Sequence, residues 1–139
     1  MIRHAHAMPF GAEVLGEGGT RFRLWAPGAK DVDIEVATAS ARLAEQMRHL
    51  GGGWRERGGS QAGAGARYSF RIDGGLTVPD PASRCNPDDV HAPSEVVDPR
   101  AFAWPDDGWR GRPWEEAVIY ELHVGTFTPA GTLAGVAAR

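Results

Sequence analysis

Residues 20–28, TRFRLWAPG, decide the fold. From Thr20 to Ala26 the side chains alternate, with Phe22 and Leu24 on one face and Arg21, Arg23 and Trp25 on the other. That period of two is the mark of a half-buried antiparallel strand, and Pro27-Gly28 ends it. The same period recurs on either side of the next glycine clusters. In Asp31–Val36 (DVDIEV), Val32, Ile34 and Val36 turn inward and three acids turn outward. In Ala66–Asp73 (ARYSFRID), Tyr68, Phe70 and Ile72 share a face, and Asp73-Gly74-Gly75 is a hairpin-grade turn into Leu76–Val78. Arg42–Leu50 is ambiguous, because Leu43, Met47 and Leu50 stand at helical spacing. Gly51-Gly52-Gly53 follows at once and the neighbours are strands, so a strand is expected. Gln61–Gly65 (QAGAG) reads as a flexible loop. Short strands separated by turn signals make an all-β sandwich the expected fold.

The 139 residues suffice for one hydrophobic core, but a (β/α)8 barrel needs about 250. Nineteen glycines and ten prolines favour short strands and tight turns over long helices. The net charge of −3 comes from interspersed acids and bases, so no basic stripe announces nucleic acid and no polybasic run announces a membrane surface. No apolar run approaches the length of a membrane span. The single cysteine, Cys85, has no internal disulfide partner, and with no signal-peptide pattern the expected compartment is the cytoplasm.

The texture changes at Pro79. Six prolines between Pro79 and Pro105 predict an ordered, irregular connector rather than a strand region, anchored by Val90, Val96, Val97, Phe102, Trp104 and Trp109. Val118–Val124 is then apolar on both faces and rich in β-branched and aromatic residues, the pattern of a strand buried on both sides in a parallel sheet. Thr132 is placed to cap a helix running from Leu133 towards Arg139. A doubly buried strand needs neighbours that these residues do not supply, so it reads as the first strand of a larger barrel. The expected organisation is a disordered terminus at 1–8, a sandwich at 9–85, a connector at 86–116 and the opening of a barrel at 117–139.

Three blocks carry a family resemblance. FRLWAPGA (22–29) looks like the opening strand of the N-terminal immunoglobulin-like module of branching enzymes and isoamylases, classed as carbohydrate-binding module family 48. YSFRIDG (68–74) with PDPAS (79–83) resembles the later strand and exit of that module, and WEEAVIYELHVGTFT (114–128) resembles the first barrel strand of glycoside hydrolase family 13. PDPASRCNPDDVHAPSEVVDP with YELHVGTFTPAGT resembles the malto-oligosyltrehalose trehalohydrolases in particular, whereas branching relatives differ in both blocks. The resemblance implies an immunoglobulin-like sandwich serving an enzyme that hydrolyses the α-1,4 bond of maltooligosyl trehalose to release trehalose. It implies a carboxylate nucleophile and a carboxylic acid, no cofactor, and an α-1,4-glucan or maltooligosyl trehalose as partner. The alternatives are a stand-alone α-glucan-binding module and the N-terminal module of a branching or debranching enzyme. Because the family's two carboxylates lie on later barrel strands, no catalytic residue is assigned and the chain alone is expected to be inert.

Aromatic faces stack on sugar rings, so each tryptophan is a potential platform. Trp54, after three glycines, is the candidate carbohydrate-binding residue of the sandwich. Trp25 is expected to pack, and Trp104, Trp109 and Trp114 to pin the connector. His123, near the C-terminal end of the expected barrel strand, is the second candidate, with Thr126 beside it. Glu115 and Glu116 precede that strand and Glu121 sits at its middle, positions that suit solvation better than catalysis. His4 with His6, and Asp88-Asp89 with His91, are too sparse for a metal site, and none is assigned. An exposed edge on the barrel strand would offer a route to self-association.

Overall fold

The computed structural model describes residues 9–16, 18–60, 62–103, 105 and 108–139. It divides into a unit ending at Trp104 and a second from Pro105 to Arg139. The first unit is an all-β, immunoglobulin-like sandwich of antiparallel strands. One sheet runs β1-β2-β6-β5, from β1 (Gly11–Val14), β2 (Thr20–Trp25), β6 (Trp54–Ser60) and β5 (Arg48–Gly51). The other runs β4-β3-β7-β8, from β4 (Arg42–Gln46), β3 (Val32–Ala37), β7 (Arg67–Ile72) and β8 (Leu76–Val78).

The alternation in the sequence becomes the core. Phe22 and Leu24 from β2 face Val32, Ile34 and Val36 from β3 and Tyr68 and Phe70 from β7, all buried. The Tyr68 ring is 4.9 Å from Phe22 and 5.9 Å from Phe70, centroid to centroid, tilted and edge-on as aromatic quadrupoles prefer. Thr20 is buried as well, and its hydroxyl donates to the Ala62 carbonyl beneath the β6–β7 loop. In the β7–β8 hairpin, Asp73 and Gly74 both take positive φ (50° and 70°), the backbone twist that suits a right-twisted ribbon. The Asp73 carboxylate then accepts from the Lys30 and Asp31 amides at 2.9 and 2.8 Å, tying this turn to the start of β3.

Arg42–Leu50 forms strands, as expected, but two of them in different sheets. β4 pairs with β3 and β5 with β6, and the chain changes sheets at Met47. Met47 is buried and its amide donates to the Val32 carbonyl at 2.8 Å. Leu43 and Leu50, which gave the stretch its helical spacing, are exposed, so only one member of that triad was a core residue. Beside the crossing, Arg57 on β6 grips Glu45 on β4 with two bonds of 2.8 and 2.9 Å, a fork between the two sheets.

The connector departs from expectation in two ways. It contains a two-residue strand, β9 (Ser94–Glu95), which pairs with Arg67 and Tyr68 on the same edge of β7 that β8 uses further along. Proline removes ladder donors only at its own positions, and Ser94-Glu95 lies just past Pro93, with the Glu95 amide donating to the Cys85 carbonyl at 2.8 Å. Of the expected anchors, Val96 is buried and Val97 half-buried, whereas Val90, Phe102 and Trp109 are exposed. Trp104, His4 and His6 lie outside the described residues.

In the second unit the expected barrel strand is absent. Residues 117–123 carry no strand pairing, and Val118, Ile119 and Tyr120 are 94, 74 and 73% exposed. A central strand exists only through ladders on both edges, and no described segment offers one. A one-turn helix, α1 (Val124–Phe127), follows instead, and Tyr120 packs edge-on to Phe127. The helix α2 (Leu133–Ala137) starts as expected, with the Thr132 hydroxyl accepting from the Gly135 amide at 3.1 Å. Trp114 is exposed and pins nothing within its unit. No described helix is long and apolar enough to cross a membrane.

Candidate functional site

The two outer faces of the sandwich differ in chemistry. On the β3–β7 side the face carries Asp33, Glu35 and Arg71, joined in ion pairs, and no aromatic ring is among them. On the β2–β6 side the alternation that sends Phe22 and Leu24 inward sends Arg21, Arg23 and Trp25 outward. β6 sends Trp54 and Glu56 out beside them. The register sets Trp25 opposite Trp54 and Arg23 opposite Glu56, so an aromatic pair lies next to an ionic row.

Arg23 organises this surface. Its Nε donates to Glu56 at 3.0 Å, and its Nη1 donates to the Pro9 carbonyl at 3.1 Å. Arg48, from β5, reaches the other Glu56 oxygen at 3.0 Å. These bonds, Arg23 foremost, hold the Glu56 carboxyl below its usual range, while partial burial opposes them. The folded chain therefore draws stability from ionised Glu56 above about pH 4.5 and loses it as the pH falls through the lowered value. Because the pair is near solvent, Glu56→Gln is expected to cost only about 0.5–1 kcal/mol in a urea melt, with the difference shrinking in 1 M salt.

Pro9 brings Phe10 over Trp54, whose rings stack at 6.3 Å and 20°. Phe10, Trp25, Trp54, Arg23, Pro81 and Ala82 enclose an open cleft of about 400 Å³. A second cleft of about 210 Å³ shares Trp54 and Arg23 with it and adds Pro9 and Leu50. Flat aromatic walls beside a charged hydrogen-bonding row suit a ligand with apolar faces and hydroxyl edges, the chemistry of a sugar ring.

Trp54 is thus where the sequence reading put its sandwich candidate, half-buried at the start of β6. Trp25 was expected to pack, yet it is 58% exposed and lines the same cleft. The signal was present, since Trp25 occupies the outward phase of the strand with Arg21 and Arg23. Phe10 gave no signal, because nothing local places it across a sheet. His123, the other candidate, is exposed in the second unit at the N-cap position of α1, 3.5 Å from the Thr126 hydroxyl. Trp54 and His123 stand in separate units. Glu115, Glu116 and Glu121 are exposed, and no metal-ligand group forms among the described residues.

The floor of the larger cleft reaches a buried polar group. Asp80, only 4% exposed, accepts from the Tyr68 hydroxyl at 2.7 Å and the Ala82 amide at 2.8 Å, and its own amide donates to the Ser94 hydroxyl at 3.0 Å. Burial pushes its carboxyl above the usual range despite those bonds and the nearby Arg84. The Tyr68 phenol is pushed well up, by burial first and by the Asp80 charge second. All of Asp80's partners are structural, so it shapes the cleft wall at Pro81-Ala82 rather than meeting a ligand.

The family model for carbohydrate-binding module 48, the isoamylase N-terminal domain, matches residues 9–88. The chain belongs to carbohydrate-binding module family 48. This module spans the whole aromatic cleft, from Pro9 to Ala82. The malto-oligosyltrehalose trehalohydrolase of Deinococcus radiodurans is 44% identical over 124 residues, which are 89% of this chain and 20% of that protein. The enzyme of the same name from Rhizobium sp. (strain M-11) is 40% identical over 129 residues, 88% of this chain and 21% of its own. A Salmonella typhimurium crystal structure, provisionally named an alpha amylase, superposes with a TM-score of 0.81 at 41% identity, over 96% of this chain and 22% of that one. The chain thus spans about a fifth of the length of the curated relatives it matches.

Proposed function

We propose that this carbohydrate-binding module 48 domain binds α-1,4-glucan through Trp25 and Trp54 for a trehalohydrolase. In this reading residues 9–85 bind, residues 86–116 connect, and residues 117–139 open the catalytic barrel. The intact enzyme would cleave maltooligosyl trehalose and release trehalose, with two carboxylates supplied from beyond this chain. The observation that carries the reading is the cross-strand tryptophan pair beside the Arg23–Glu56–Arg48 row. The 40–44% identity to trehalohydrolases supports the choice of enzyme. His123 is proposed to line the sugar path in the intact enzyme.

Calorimetric titration of the chain with maltoheptaose tests the binding half. Trp25→Ala and Trp54→Ala are each expected to weaken binding at least about tenfold, with circular dichroism unchanged, because each removes one stacking face. Unchanged affinity in both would overturn the site. The enzymatic half is tested with maltooligosyl trehalose, since trehalose release by this chain alone would show that catalysis does not lie elsewhere.

A further inference from the structure

We propose that Gly53 is a positioning residue, and that the Gly51–Gly53 turn fixes the Trp25 indole as a preformed sugar platform. The inference rests on reading the cleft as a glucan site and concerns a residue that touches no ligand. Trp25 is 58% exposed, and an exposed side chain ordinarily samples several rotamers. Here its edge is held, because the indole Nε1 donates to the Gly52 carbonyl at 3.0 Å. One residue on, the Ala26 amide donates to the Gly53 carbonyl at 2.8 Å, so the turn grips both the ring and the backbone that carries it. The face of the indole stays open to the cleft while its edge is tied.

Only glycine permits this approach. Gly53 has φ +85°, and a Cβ there would lie 2.8 Å from the Pro27 Cβ, 2.9 Å from the Pro27 Cα and 3.0 Å from Trp25 Nε1. Atoms do not meet at such distances, so any side chain must push Trp25 and Pro27 away from the turn. A ring fixed before binding spares the ligand the cost of ordering it, so the turn acts on affinity without contacting sugar.

Gly53→Ala separates this role from simple strain when paired with Gly74→Ala. Gly74 has a similar φ of +70°, but a Cβ there meets nothing within 4 Å, and it lies in the β7–β8 hairpin outside the cleft. Both variants and the parent chain would be titrated with maltoheptaose by calorimetry, and exchange of the Trp25 indole proton followed by NMR. Gly53→Ala is expected to weaken binding about three- to tenfold and to speed indole exchange. Gly74→Ala should bind within about twofold of the parent and keep the slow indole proton. Equal loss of affinity in both variants, or parental affinity and exchange in Gly53→Ala, overturns the proposal. If Gly53→Ala does not fold, Trp25→Phe keeps an aromatic face without the tie, and binding equal to the parent overturns it equally. If the parent does not bind maltoheptaose, the glucan reading fails, while the exchange measurement still decides whether Gly53 holds the ring.

Discussion

Phe22→Ala is expected to lower the urea midpoint of the sandwich by a large fraction while leaving a folded population to melt. Phe22 is fully buried on β2 and packs its ring on Tyr68, at the centre of the seam between the sheets. Truncating a buried phenylalanine costs about 3–5 kcal/mol, through lost transfer energy and the cavity left behind. Domains of this kind hold about 5–15 kcal/mol in total, so the loss is a large share of it. A urea melt followed by tryptophan fluorescence would show the midpoint falling with the slope unchanged. Phe22→Leu, which refills most of the space, should cost less than half as much. Equal midpoints for Phe22→Ala and the parent would mean that the seam does not carry the fold.

Asp80→Ala should come second, at about 2–4 kcal/mol, for a different reason. It strips the acceptor from the buried Tyr68 hydroxyl and the partly buried Ala82 amide, and an unpaired buried donor costs about 1–3 kcal/mol. Relief of the buried charge offsets part of that. Asp80→Asn keeps an acceptor and isolates the proton. Because the folded carboxyl is raised above its ordinary 3.8, protonated Asp80 adds stability that is full below pH 3.8 and is lost as the pH rises through the raised value. The stability gap between parent and Asp80→Asn should therefore be widest in acid and narrow towards neutrality. Melts across pH 3 to 8 measure it, and a gap that widened with pH would reverse the assignment of burial as the dominant influence.

What the sequence disclosed followed from how local each constraint is. The alternation in Thr20–Trp25, Asp31–Val36 and Ala66–Asp73 named the inward residues of three strands, because period two is fixed by the backbone alone. The Asp73-Gly74 turn and the Thr132 cap were legible for the same reason, each being settled within four residues. Met47 and Ser94 were not. Whether Arg42–Leu50 is one strand or two depends on which sheet edges lie nearby, and the pairing of Ser94-Glu95 depends on an edge of β7 left free beyond β8. Residues 118–124 have the composition of a central strand, but no described segment pairs with residues 117–123, because composition does not provide partners. At the cleft, the place of Trp54 just after the glycines made it legible as a candidate. The phase of Trp25 with Arg21 and Arg23 pointed outward, while its place in the family motif pointed to packing. Phe10 and the hold of Gly53 on Trp25 are tertiary facts, since each joins segments more than fourteen residues apart in the chain.

The crossing at Met47 bears on how force would travel through the module. A sandwich whose sheets are joined only by end loops can shear, one layer sliding over the other while both ladders stay intact. Here a single buried residue passes from layer to layer along the edge, and the Arg57–Glu45 fork straps the same edge a few residues away. The layers are riveted at mid-edge. Sliding of one sheet over the other is thus opposed at the β4–β5 edge, where backbone and ion pair would both have to give.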